Sequence, residues 1–163
     1  MKKHLLLLLC SLFFGCLTAN AQLSSGSIAP NFIATDIDGN THDLYSYLDQ
    51  GKTVVIDVMA TWCPPCIAEM PSIQNLYTDY KDKVEFLLVT NDPYSEINEF
   101  LDENNYDFKI LRPVTFNTSV FDVSTIPRTF LIDKTGKIII DETGAANWNS
   151  DKVRLVIDNL LKE

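Results

Sequence analysis

The chain has 163 residues, of which 46% are hydrophobic and 21% charged, and its formal net charge is −9. That length supports one domain and hardly two, and the balance is that of an ordinary globular protein. The acidic excess, with no basic stripe to override it, excludes nucleic acid as a partner.

The chain opens on a basic segment, Met1-Lys2-Lys3-His4, followed by an apolar run from Leu5 to Leu17 and then Thr18-Ala19-Asn20-Ala21. A basic start, a short apolar core and a small-x-small close form a secretory signal peptide. The run is too short to cross about 30 Å of hydrocarbon as a helix. Residues 1–21 are therefore expected to be removed after Ala21, leaving a single domain over 22–163 in an exported, periplasmic protein. Lipid attachment at Cys16 is the alternative, and bulky Phe13 and Phe14 fit it poorly. Removing Lys2 and Lys3 takes the basic count from 13 to 11 against 22 acids, a net charge of −11. It also removes Cys10 and Cys16. Two cysteines three positions apart remain, which is not a disulfide-dense scaffold.

Gln22 to Pro30 is small and polar and reads as a loop. Phe32 to Ala34 and Thr41 to Leu44 are short strands around the turn Asp38-Gly39-Asn40. Thr53 to Met59 is β-branched and nearly continuous, as a central strand buried on both faces should be. Pro64 to Tyr80 has Ile67, Met70, Ile73, Leu76, Tyr77 and Tyr80 at helical spacing, and Pro71 predicts a kink. Val84 to Thr90 is a second buried strand. Tyr94 to Asn104 is a helix with Ile97, Phe100 and Leu101 on one face, and Thr115 to Phe121 a further short helix. Arg128 to Ile132 and Lys137 to Asp141 are strands joined by Asp133-Lys134-Thr135-Gly136. Asp151 to Leu161 is a terminal amphipathic helix. Strands alternating with helices predict an α/β fold, and the closing hairpin makes its central sheet mixed.

Ala60-Thr61-Trp62-Cys63-Pro64-Pro65-Cys66 falls where the buried strand gives way to a helix. A helix N-terminus offers unpaired N–H groups and the positive end of a dipole, which stabilise a thiolate. Cys63, at the mouth, is the expected nucleophile. Cys66, one turn in, is the expected resolving thiol of a redox-active disulfide. Pro64 and Pro65 carry no N–H. The Cys63 thiolate is then left with the amides of Cys66 and Ile67 and the Cys66 thiol. A moderately acidic nucleophile follows, in the upper part of the range of roughly 3.5 to 7.5 seen for such cysteines, and with it a reducing dithiol. Two other readings compete. A structural staple closing so short a loop stabilises by only about 2 kcal/mol. A metal site would have two of the four ligands zinc wants, with His42 the sole mature histidine. No cofactor and no metal are expected.

The segment Val55 to Cys66 resembles the active-site segment of thioredoxins. Pro64-Pro65, the signal peptide and Ile126-Pro127-Arg128-Thr129-Phe130-Leu131-Ile132-Asp133 are similar to the exported TlpA/ResA-type branch of that superfamily. The resemblance runs from about Ile28 to Leu161. It implies a thioredoxin fold with an added N-terminal hairpin and a central insertion near Asp92 to Phe121. Similar proteins reduce disulfides in exported proteins, often apocytochromes awaiting haem, with electrons from a membrane thiol carrier. By position, Pro127 matches the family's cis-proline, which with Ile126 borders the peptide-binding groove, against the alternative of a trans proline opening a strand. Trp62 matches the tryptophan that shields the pair and faces partner proteins, with Pro64 and Pro65 beside it; simple packing is its alternative.

Asp57 stands six positions before Cys63, where cytoplasmic thioredoxins carry a buried carboxylate and close relatives in the exported branch often carry asparagine. It is a candidate acceptor for the Cys66 proton, or else a solvated strand-end acid. Glu69, three after Cys66, matches an acid that tunes the thiols and is a second candidate acceptor for the same proton, or else is a first-turn glutamate favoured by the helix dipole. A peroxiredoxin would need a threonine three residues before its cysteine and a proline further upstream. Ala60 and Ile56 occupy those sites here. A disulfide-forming oxidant and a binding module without turnover are the remaining alternatives. The first is decided by redox potential, and the intact pair, Trp62 and Pro127 weigh against the second.

Overall fold

The computed structural model describes residues 26–115 and 124–162. The expected signal peptide and most of the expected 115–121 helix lie outside these residues.

The chain begins with a hairpin, β1 (Ile33–Thr35) and β2 (Thr41–Asp43), closed at Gly39. Leu44 was expected to extend the second strand. Instead Asp43 caps a short helix, α1 (Leu44–Asp49), by accepting the Ser46 amide at 3.1 Å. An aspartate at a helix N-terminus outweighs the strand tendency of its neighbours. Next come β3 (Thr53–Val58), α2 (Pro64–Tyr80), β4 (Val84–Val89) and α3 (Tyr94–Asn104). Helix α2 runs on through Pro71. The chain then forms β5 (Ile110–Thr115), β6 (Arg128–Ile132), β7 (Ile138–Thr143) and α4 (Asp151–Leu160).

Sequence reasoning missed β5. Arg112 and Pro113 interrupt its apolar pattern, and Thr115, expected to open a helix, instead closes this strand. The strand lies between β4, to which it is parallel, and β1, to which it is antiparallel. It thereby joins the N-terminal hairpin to the main sheet in one seven-stranded mixed sheet of order β2-β1-β5-β4-β3-β6-β7. The expected insertion from Asp92 onward thus supplies α3 and this bridging strand.

Strand β3 sits deep in the sheet, parallel to β4 and antiparallel to β6, and all six of its residues are buried. Its side chains alternate between two cores, as the pleat requires. Val54, Ile56 and Val58 join Phe32, Leu44, Leu87 and Phe130 on the side that α1 covers. Val55 joins Cys66, Met70, Ile73, Leu88 and Leu131 on the side that α2, α3 and α4 cover. At the turn from β6 to β7, Asp133 Oδ1 accepts from the amides of Thr135 (2.8 Å) and Lys137 (3.0 Å), and Gly136 takes a φ of +85°. That left-handed conformation costs glycine little.

Candidate active site

Cys63 caps α2 with φ −90° and ψ 108°, and Pro64 and Pro65 occupy the first two helical positions. Proline suits that place, since its missing N–H would have no helical partner there and its φ is preset. The cap brings the Cys63 and Cys66 Cα atoms to 5.3 Å, and the two sulfurs are joined as a disulfide. The Cys66 amide donates to Cys63 Sγ at 3.3 Å. The Ile67 amide, expected at the sulfur as well, instead donates to the Cys63 carbonyl at 3.0 Å, closing the first turn of the helix. One main-chain donor therefore serves the sulfur where two were anticipated. Cys63 keeps 4% of its surface and Cys66 none.

Around the disulfide, Trp62 is 69% exposed, which removes simple packing as its explanation, and Pro64 and Pro65 are exposed beside it. The Ile126–Pro127 peptide bond is cis, and Pro127 is buried directly before β6. Trp62 and Ile126 line an open cavity of about 250 Å³, with Met59, Val89 and Pro113.

One residue of this region has no sequence signal of its own. Asp92 follows β4 and lines the same cavity. Its Oδ2 accepts from the Thr61 amide (2.7 Å) and hydroxyl (3.0 Å), and its Oδ1 from the Trp62 indole N–H (3.1 Å). Burial raises its pKa, but these bonds and one with Thr90 together hold it below the usual carboxylate value. In sequence Asp92 is only an acid before a helix. Its position shows once parallel β3 and β4 end at the same edge of the sheet.

Both candidate acids are buried. Asp57 lies two residues from Val55 on β3 and so faces the core that contains Cys66. Its Oδ1 accepts from the Thr129 hydroxyl at 2.9 Å across the paired strands β3 and β6. Its Oδ2 is buried with no hydrogen-bond partner among the described residues. Burial first, and the Glu69 charge second, push its pKa up to about 8 against the Thr129 bond. A solvated strand-end acid is thereby excluded. Glu69 belongs to the second turn of α2, where it is buried, and the first turn holds no acid. A first-turn dipole role does not fit it. Its Oε2 accepts from the Ala146 amide and the Trp148 indole N–H, each at 3.0 Å, and its Oε1 has no partner among the described residues. Burial raises its pKa despite those two bonds.

The sequence model of the AhpC/TSA family matches residues 25–140. The chain belongs to the AhpC/TSA family. Among its curated relatives is the thiol-disulfide oxidoreductase ResA of Bacillus thuringiensis subsp. konkukian, 34% identical over 152 residues, covering 86% of this chain and 84% of the relative. The ResA of Geobacillus kaustophilus is 36% identical over 124 residues, covering 74% and 70%. A solved structure from Chlorobium tepidum, assigned as the thiol:disulfide interchange protein DsbE, superposes with a TM-score of 0.72 at 25% identity. It covers 85% of this chain and 99% of its own.

This member of the AhpC/TSA family therefore has the thioredoxin fold and is a thiol–disulfide oxidoreductase resembling ResA. Its site can do what that class of chemistry needs. A disulfide caps a helix, with Cys63 slightly more exposed than Cys66, and two carboxylic groups, Asp57 and Glu69, are buried within range of each other's charge. A thiolate at Cys63 would be stabilised by the Cys66 amide and by the end of the α2 dipole.

Proposed function

We propose that this protein reduces disulfides in exported client proteins through the Cys63–Cys66 dithiol. The observation that carries the reading is the disulfide at the N-cap of α2, with Cys63 the more exposed of the two cysteines. In the reduced protein, the Cys63 thiolate attacks one sulfur of the client disulfide. A Cys63–client bond forms, the client S–S bond breaks, and the displaced client sulfur takes a proton. Asp57 accepts the proton of the Cys66 thiol, and the Cys66 thiolate attacks Cys63 Sγ. The Cys63–Cys66 bond forms and the second client thiolate leaves. The client gains two electrons and the protein ends in the disulfide form.

An ionised Asp57 is the form that can accept the proton. Its raised pKa makes the carboxylate a stronger base than a solvated one and places its titration near working pH. Glu69 adds a second carboxyl group whose charge opposes ionisation of Asp57. The exposed Trp62, the two prolines and the Ile126–Pro127 edge form the surface that the client covers. A thiol donor at the membrane returns the electrons. Residues 1–21 direct export, and disulfide-bearing exported proteins, apocytochromes among them, are the clients.

Direction is tested by the redox potential. A value near −250 mV or below supports a reductase, and one near −120 mV, with a Cys63 pKa near 4, supports an oxidant instead. Activity is tested by insulin reduction with dithiothreitol, which Cys63→Ser should abolish. Cys66→Ala should trap clients on Cys63 as mixed disulfides, and mass spectrometry of the trapped species names them. Export is tested by the mass of the mature protein, expected to begin at Gln22.

A further inference from the structure

Trp62 is the most exposed large apolar side chain of the described residues, yet its indole N–H is not left to solvent. An exposed tryptophan on a short loop would ordinarily sample several rotamers. Here its polar edge is bonded to a carboxylate that comes from another strand end, thirty residues away in the chain. The same carboxylate holds the amide and hydroxyl of Thr61, the residue just before. Asp92 is itself fixed, since its amide donates to Thr90 Oγ1 at 3.2 Å and its side chain is largely buried. Both its oxygens are thus occupied by the two residues that lead into Cys63.

We infer that Asp92 is a positioning residue for thiol–disulfide exchange with protein clients, which holds the Trp62 ring in place as one wall of the cavity beside the disulfide. The inference rests on the proposed role of Trp62 in client contact and adds what fixes that contact. A ring held before the client arrives costs less ordering on binding than a free one. Hydrogen bonds to a charged group are also stronger than neutral ones, so one carboxylate can hold three donors that water would otherwise satisfy. A large protein disulfide must rest on Trp62 to reach Cys63. A small disulfide reaches the sulfur without that surface. Loss of Asp92 should therefore act on protein clients and spare small ones.

The test compares wild type with Asp92→Asn, Asp92→Ala, Thr61→Val, Trp62→Ala and the Asp92→Asn/Trp62→Ala double variant. The substrates are insulin and a small aromatic disulfide, and each variant is first checked for folding by circular dichroism. Asp92→Asn keeps the size of the side chain but loses one acceptor oxygen and the charge. It is expected to lower kcat/KM for insulin by roughly threefold to tenfold, mostly through KM, and to change the small disulfide by less than about twofold. Thr61→Val removes one of the three bonds without touching Trp62 and should change either substrate by less than about twofold. The double variant should be no worse than Trp62→Ala alone. The indole N–H resonance of Trp62, assigned by its loss in Trp62→Ala, should exchange with solvent faster in both Asp92 variants.

If Trp62→Ala impairs insulin reduction but Asp92→Asn does not, or if the two losses add, the inference fails and the role of Trp62 stands. If Trp62→Ala leaves insulin reduction unchanged, both fail. Equal losses on insulin and the small disulfide would make Asp92 a general scaffold residue and overturn the inference, as would an unchanged indole exchange rate. Should Asp92→Ala fail to fold, Asp92→Asn and the indole exchange decide.

Discussion

Replacing Asp57 by asparagine should change how the stability of this protein depends on pH. Asp57 is wholly buried, one of its oxygens has no partner among the described residues, and burial pushes its pKa up to about 8 against an ordinary 3.8. Between those two values the native state holds a proton that the unfolded chain has released. Stability is therefore greatest below about pH 4 as far as this group is concerned. It falls as pH rises, and levels off above about 8. Each pH unit in that window costs about 1.4 kcal/mol, so pH 5 to pH 8 costs about 4 kcal/mol at most, and relaxation around the ionised group lowers this to a few. Asparagine cannot ionise, and its Oδ1 can still accept from Thr129. Urea unfolding of the oxidised protein at pH 5, 6, 7 and 8 measures the difference directly. The wild type should lose about 2–4 kcal/mol more than Asp57→Asn across that range. Parallel pH profiles for the two proteins would refute the reasoning, because they would mean that Asp57 ionises alike in the native and unfolded states.

The same substitution should slow closure of the Cys63–Cys66 bond on a mixed disulfide by about tenfold or more at neutral pH, as loss of a proton acceptor does. Stopped-flow release of a chromophoric thiol from a Cys63 mixed disulfide that retains Cys66 reads this rate. Glu69→Gln removes a charge that raises the Asp57 pKa, so the pH midpoint for that closure should move down; an upward or absent shift would show that the two carboxyls do not interact. Arg128, buried at the start of β6, donates to Asp141 through Nε (2.9 Å) and Nη2 (3.0 Å) and stacks on the Phe130 ring. Arg128→Ala removes the buried partner of the partly buried Asp141 carboxylate and should cost about 3 kcal/mol, a fall in Tm on the order of 10 °C by calorimetry. Gly136→Ala and Gly39→Ala should each cost about 1 kcal/mol by urea unfolding, since both positions hold a left-handed φ and neither is crowded by an added Cβ.

Much of the architecture is legible in the sequence because it is written in local patterns. The bounds expected for α2 and α3 match the observed helices, and β3 is the continuous apolar strand it looks like. The pair Cys63 and Cys66 is legible for the same reason. Three-residue spacing at a strand-to-helix junction, with two prolines where a helix tolerates them, already implies a capped turn. What failed was whatever depended on a distant partner. Strand β5 is hidden in sequence by Arg112 and Pro113, and it is a strand because β4 pairs with one of its edges and β1 of the hairpin with the other. Leu44 follows Asp43 into a helix because a single cap outweighs a two-residue apolar pattern.

The sequence by itself determined the class of fold, the cysteine pair and which of the two sits at the helix mouth, since these rest on spacing and helix-end geometry within one short segment. Only the tertiary structure decided where the acids go. Asp57 and Glu69 are equally plausible as solvent-facing residues until Thr129 pairs across β3 and Ala146 and Trp148 close over α2. Asp92 is an unremarked acid until two parallel strands end side by side. The physical reason is common to all three. The ionisation and orientation of a carboxylate depend on the dielectric and the donors around it, and those are supplied by segments far away in the chain.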